Sequence, residues 1–134
     1  MNHRRIAAAA GTAWFVSIPL GAFVHHEVRG RIYAANAAAF RPDAEIIRRL
    51  PLGYAVELVG FFIAASMYAR LYADGRGILE GLRFGAPVGL VLSRVVVWNY
   101  VTEPISAVLG VAEAFEYVIG ATISGAIIGA VYRP

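Results

Sequence analysis

Five polar side chains stand inside otherwise apolar stretches: Glu57, Arg94, Asn99, Glu113 and Glu116. Glu113 and Glu116 are three positions apart, so on a helix they share one face and could share a proton or a cation between two carboxylates. An ionised side chain facing lipid costs at least ~2.5 to 3.5 kcal/mol, which directs such groups inward and into pairs. Arg94 is therefore expected to pair with Glu116, or with Glu113 and Glu116 together. One arginine cannot neutralise three carboxylates, and the surplus must be protonated, matched by a histidine, or matched by a bound cation.

A second set of candidates follows nineteen residues without a formal charge, Ile6 to Val24. There FVHHEVRGR places His25, His26 and Glu27 together. His25 and His26 with Glu57 and Glu113 are the candidate metal ligands. Adjacent histidines diverge by ~100° on a helix, however, and neither His-x3-His nor Glu-x2-His spacing occurs. The stretch reads first as a membrane exit, and as a site only if its histidines fold back over Glu57 and Glu113. Three readings of the charges stand side by side. They are an internal brace that fixes helix register, a proton or cation path along Glu57, Glu113, Glu116 and Arg94, or a transition-metal site.

No catalytic residue is assigned, because no Ser/His/Asp triad, phosphate loop or nucleotide motif occurs. With no cysteine there is no disulfide, iron–sulfur cluster, c-type haem or thiolate chemistry. The reading is of a protein that is not an enzyme and needs no cofactor.

The elements that must position these groups follow from composition. At 59% hydrophobic residues and a mean hydropathy of +0.63, the chain lies well above the soluble range. Apolar stretches run from Ile6 to Val24, Leu52 to Tyr68, Phe84 to Val101 and Ile105 to Val131, each close to the ~20 residues that cross a bilayer. The expected fold is all-α: one domain over residues 1–134, a polytopic membrane protein with spans at about 6–26, 52–72, 83–101 and 105–132. The short connections YADGRG and TEP arrange the spans as two hairpins. A signal-peptide reading of the first span fails because the charged HHEVRGR separates it from any A-x-A triplet. In the first loop, RPDAEIIRRLP has Pro42 at a helix start and Pro51 after Leu50, which predicts a short interfacial helix, or a partner-docking element, there. An echo of Pro19-Leu20-Gly21 in Pro87-Val88-Gly89, and of Glu57 to Gly60 in Glu116 to Gly120, suggests a repeat of the hairpin.

The formal charge of +3 comes with basic residues that are all arginine and mostly flank apolar runs, so they serve as topology and headgroup anchors rather than a nucleic-acid surface. Arg4 and Arg5 before the first span favour cytoplasmic termini. Gly81, Gly85 and Gly89 in the third span, and Gly125 and Gly129 in the fourth, form small-residue faces that predict the tightest packing between those two helices, within one chain. Pro19 and Pro87, each inside a span, predict kinks or local loosening.

EGLRFGAPVGL and VWNYVTEPISAVLG, together with FRPDAE and YARLYADGRG, resemble an uncharacterised family of small bacterial four-helix integral membrane proteins. The resemblance implies the same topology and residence in a bacterial inner (cytoplasmic) membrane, and it assigns no activity; HHE is not a feature of that group. With no catalytic constellation and almost no mass outside the bilayer, the expected function is a non-enzymatic accessory or assembly subunit of a larger membrane complex. The alternative is a small homo-oligomeric proton or cation transporter.

Overall fold

The computed structural model describes residues 2–72 and 77–132. Helix α1, His3–Phe23, is capped by Asn2, whose Oδ1 accepts from Arg5 N at 3.2 Å, and it widens into a π turn over Val24–Val28. A short helix α2, Gly30–Ala35, and a 3₁₀ turn, Ala37–Ala39, follow. Helix α3 is Asp43–Leu71, α4 is Ile78–Thr102 and α5 is Ala107–Val131. No strand occurs among the described residues. Four stretches, His3–Val28 and helices α3, α4 and α5, are long and apolar enough to cross a membrane, in register with the four expected spans.

The separate interfacial helix does not form. Its residues are the first turns of α3, which runs unbroken through Pro51. Proline removes one backbone donor, but a single missing bond is tolerated in a long apolar helix whose other turns hold it. Glu45 staples the start by accepting from Arg41 Nη1 and from Arg49 Nη2, both at 2.7 Å and both four residues away. Pro42 stands just before the helix with φ −55°. Pro19 and Pro87 likewise interrupt neither α1 nor α4. Of the expected tight turn YADGRG, residues 73–76 lie outside the described residues. Gly77 enters α4 at φ +78°, a conformation open to glycine and strained for other residues.

Helix α5 lies along α4 over most of its length, α1 packs against both α5 and α3, and α3 is peripheral, burying only Ala65, Tyr68 and Ala69 of its 29 residues. The α4–α5 seam is built from absent side chains. A Cβ on Gly89 would fall 2.6 Å from Val118 Cα, and one on Gly125 would fall 2.8 Å from Gly85 Cα, so glycine alone permits this approach. The main core sits at the end of the molecule that carries both termini. Ile6, Ala9, Ala10 and Ala13 of α1 meet Ala65, Tyr68 and Ala69 of α3 there, with Phe84, Ile128 and Tyr132. Tyr68 anchors it, edge-on to Phe84 at 5.6 Å and stacked on Tyr72 at 5.0 Å. Toward the opposite end, α3 and α4 expose Val56, Val59, Val91 and Trp98, and the polar side chains gather on α1, α2 and α5.

Candidate functional site

At the end of α1 the helix loosens by one residue per turn: Arg29 N donates to Val24 O, five residues back, at 3.0 Å. That extra residue turns Arg29 inward instead of along the exit path. The chain then reverses, and Tyr33 N bonds Arg29 O at 3.0 Å to begin α2. The reversal lays α2 across the first turns of α5, where Ser106 caps the helix by accepting from Leu109 N at 3.2 Å. Asn36 fastens the loop to that cap, its Oδ1 accepting from Ser106 N at 2.8 Å.

Five side chains meet under this strap. Arg29 is 5% exposed, and its Nη2 forms an ion pair with Glu116 Oε2. Tyr33 Oη donates to Glu113 Oε1 at 3.0 Å. The guanidinium carbon of Arg29 stands 5.0 Å from the Tyr33 ring centroid, and His25 lies against the same ring at 4.1 Å. Each of the two carboxylates that share a face of α5 thus receives its own donor, one charged and one neutral. Arg29 Nε and Nη1 are buried without a protein acceptor among the described residues, so the guanidinium is held by one of its two arms.

Burial, and next the negative charge of Glu113, push the Tyr33 phenol well above its ordinary range. Tyr33 therefore remains a donor at every physiological pH. A raised pKa contributes stability that is complete below the ordinary value of about 10 and is lost as pH rises through the folded value. Tyr33→Phe is expected to lower stability by about 1 kcal/mol near neutrality. That gap should narrow as pH rises above ~10, as read from thermal melting of both forms in detergent; a gap independent of pH would remove the Tyr33–Glu113 bond from the account.

The sequence-predicted residues do not all converge. Glu113 and Glu116 come together, but the partner of Glu116 is Arg29 and not Arg94. The reason lies in the seam: Gly81, Gly85 and Gly89 turn one face of α4 to α5, and Arg94, thirteen residues after Gly81, is rotated ~220° from it. Arg94 is exposed and makes no ion pair among the described residues. Glu57 is exposed too, on α3, where Ser17 Oγ lies 3.3 Å from its Oε1. The Ser17 hydroxyl has a single proton and a shorter contact, 2.7 Å, to Trp14 O, so Glu57 has no strong partner among the described residues. The Asn99 side chain makes no hydrogen bond among the described residues, while its carbonyl accepts from Glu103 N at 2.7 Å. His25, His26, Glu57 and Glu113 do not converge: among the described residues no three His, Cys, Asp or Glu side chains are placed to hold a metal ion.

No family model, curated protein or solved structure matches the chain. Its chemistry is therefore read from its own residues. Arg29, Tyr33 and Asn36 are the members of the site that sequence reasoning missed. Their one advance signal was the excess of carboxylates over arginine within the spans, which called for a further cation without saying where in the chain it stood.

Proposed function

We propose that the chain is a non-enzymatic accessory or assembly subunit of a larger integral membrane protein complex. It inserts as two hairpins, α1 with α3 and α4 with α5, with both termini in the cytoplasm. The resemblance to small bacterial four-helix proteins supports residence in a bacterial inner membrane. The observation that supports the subunit reading is Arg94. It stands eight residues, ~12 Å, inside the end of α4, on the face turned away from α5, with no counter-charge among the described residues. Left against lipid, such a charge costs at least ~2.5 to 3.5 kcal/mol, and an acceptor on a neighbouring polypeptide removes that cost. The peripheral α3, apolar along most of its exposed surface, has the same need of a neighbour.

The transport reading receives less support. Glu113 and Glu116 are each engaged by a donor from the α1–α2 strap, and Glu57 meets Ser17 instead of joining them, so the three carboxylates do not form one path.

Extraction of native membranes in a mild detergent tests the proposal. The wild-type chain is expected in a particle that holds other polypeptides besides copies of itself, and Arg94→Leu is expected to leave that particle while keeping its helical content. A wild-type chain recovered only as a monomer or homo-oligomer, or a particle indifferent to Arg94→Leu, would overturn it.

A further inference from the structure

Glu57 and Arg94 share a property that no other pair has among the described residues. They are the exposed charged side chains lying more than two turns from either end of a long helix. They are opposite in sign. They also stand at one height, since Glu57 is fourteen residues before Leu71 and Arg94 sixteen residues after Ile78, or ~21 and ~24 Å above the end where α3 and α4 meet. That meeting is fixed by the rings of Tyr68, Tyr72 and Phe84. Neither charge is neutralised among the described residues, since Arg94 has no ion pair there and Glu57 meets only the uncharged Ser17 hydroxyl, at 3.3 Å.

A twofold axis along the membrane normal keeps heights unchanged and brings residue i of one copy to residue j of the other, and j to i. Two opposite charges at one level on two different helices are what such an axis requires. We propose that the polypeptide facing Arg94 is a second copy of this chain, the two copies joined by reciprocal Glu57–Arg94 ion pairs across the exposed faces of α3 and α4. This rests on the reading above to the extent that Arg94 is matched by another polypeptide. Tyr54 on α3, and Val91 and Trp98 on α4, share the faces of the two charges, close over the pairs and exclude lipid and water from them.

Sign exchange tests it. Arg94→Glu leaves two glutamates facing across each contact, and Glu57→Arg leaves two arginines, so each variant alone is expected to associate at least ~10-fold more weakly than wild type. Mixed together, the two variants re-form both pairs with the signs redistributed. An equimolar mixture in detergent micelles is expected to return the wild-type dimer mass by light scattering, and so is the double variant E57R/R94E. A monomeric wild type, single variants that dimerise like wild type, or helical single variants that stay apart when mixed would each overturn the pairing. Should either single variant lose its helical circular dichroism, the double variant decides: folded and dimeric supports the pairing, folded and monomeric overturns it. If sign exchange fails while Arg94→Leu still leaves the native particle, another protein faces Arg94 and the subunit reading survives. If Arg94→Leu changes nothing, both fall.

Discussion

Gly125→Ala is expected to separate α4 from α5 over the half of the seam nearest the termini. The added methyl would stand 2.8 Å from Gly85 Cα and 2.9 Å from Gly85 N, and it would overlap Gly81 O. All three are backbone atoms, so no side chain can swing aside, and the helices must move apart as rigid bodies. Separation does not stay local, because Gly81, Gly85 and Gly89 each lie in backbone contact with α5 and would lose it together. In lipid that packing is the main attraction between helices. Overpacking of a side-chain core costs ~1 to 3 kcal/mol, and a clash confined to backbone belongs at or above the top of that range. Stability in mixed micelles, followed by circular dichroism as a denaturing detergent is added, measures the loss. Gly120→Ala, on the same helix with open space around its Cβ position, supplies the control and should change stability by less than about 1 kcal/mol. Equal loss from both substitutions would mean that α5 does not depend on this seam.

The seam was legible in the sequence because it depends on residues with nothing to orient. A glycine repeat at four-residue spacing marks a smooth face whatever packs on it, and the two longest repeats met each other. Four apolar runs of span length were equally plain, since backbone satisfaction in lipid leaves little choice but helix. What could not be read were the places where one residue more or fewer decides the outcome. Pro42 and Pro51 bracket a helix on paper, yet α3 runs straight through the second proline, whose single missing backbone bond the turns on either side tolerate. The position of Arg94 was available from counting alone: thirteen residues after Gly81, it falls on the far side of the face that Gly81, Gly85 and Gly89 define. The demand that a charge pair within its own chain outweighed that geometry in the sequence reading, and the structure follows the geometry.

The site was legible only as a requirement. Glu113 and Glu116, one turn apart in an apolar helix, called for donors, and both found them. Arg29 and Tyr33 come instead from a stretch that reads as an exit loop, and they reach the carboxylates because the end of α1 takes a π turn. A π turn needs no residue type that an α-helix excludes, so Val24–Val28 bears no mark of it in the sequence. The cation, Arg29, lies within FVHHEVRGR, two residues beyond Glu27.

Removing Arg29 is the sharper test of that strap. Arg29→Leu would leave Glu116 beside apolar α1 with its charge unmatched, and breaking a buried pair from one side costs ~3 to 5 kcal/mol because the remaining charge stays desolvated. The Glu116 side chain is 36% exposed, which allows partial resolvation and sets the expected loss at the low end, about 3 kcal/mol. Glu116→Leu alone should be costly for the reciprocal reason, since it strands a guanidinium that already has two unpartnered nitrogens. The double variant R29L/E116L removes both charges and is expected to recover most of the loss, as buried pairs exchanged for apolar groups commonly do. Three melting curves in detergent then separate the possibilities. If the single losses add in the double variant, Arg29 and Glu116 act independently and the strap is held by Tyr33 and Asn36. If the double variant is nearer wild type than either single one, the pair sets the position of the α1–α2 turn over α5 more than it raises stability. In that case Arg29 serves the register of the bundle, which is the role an internal brace requires of it.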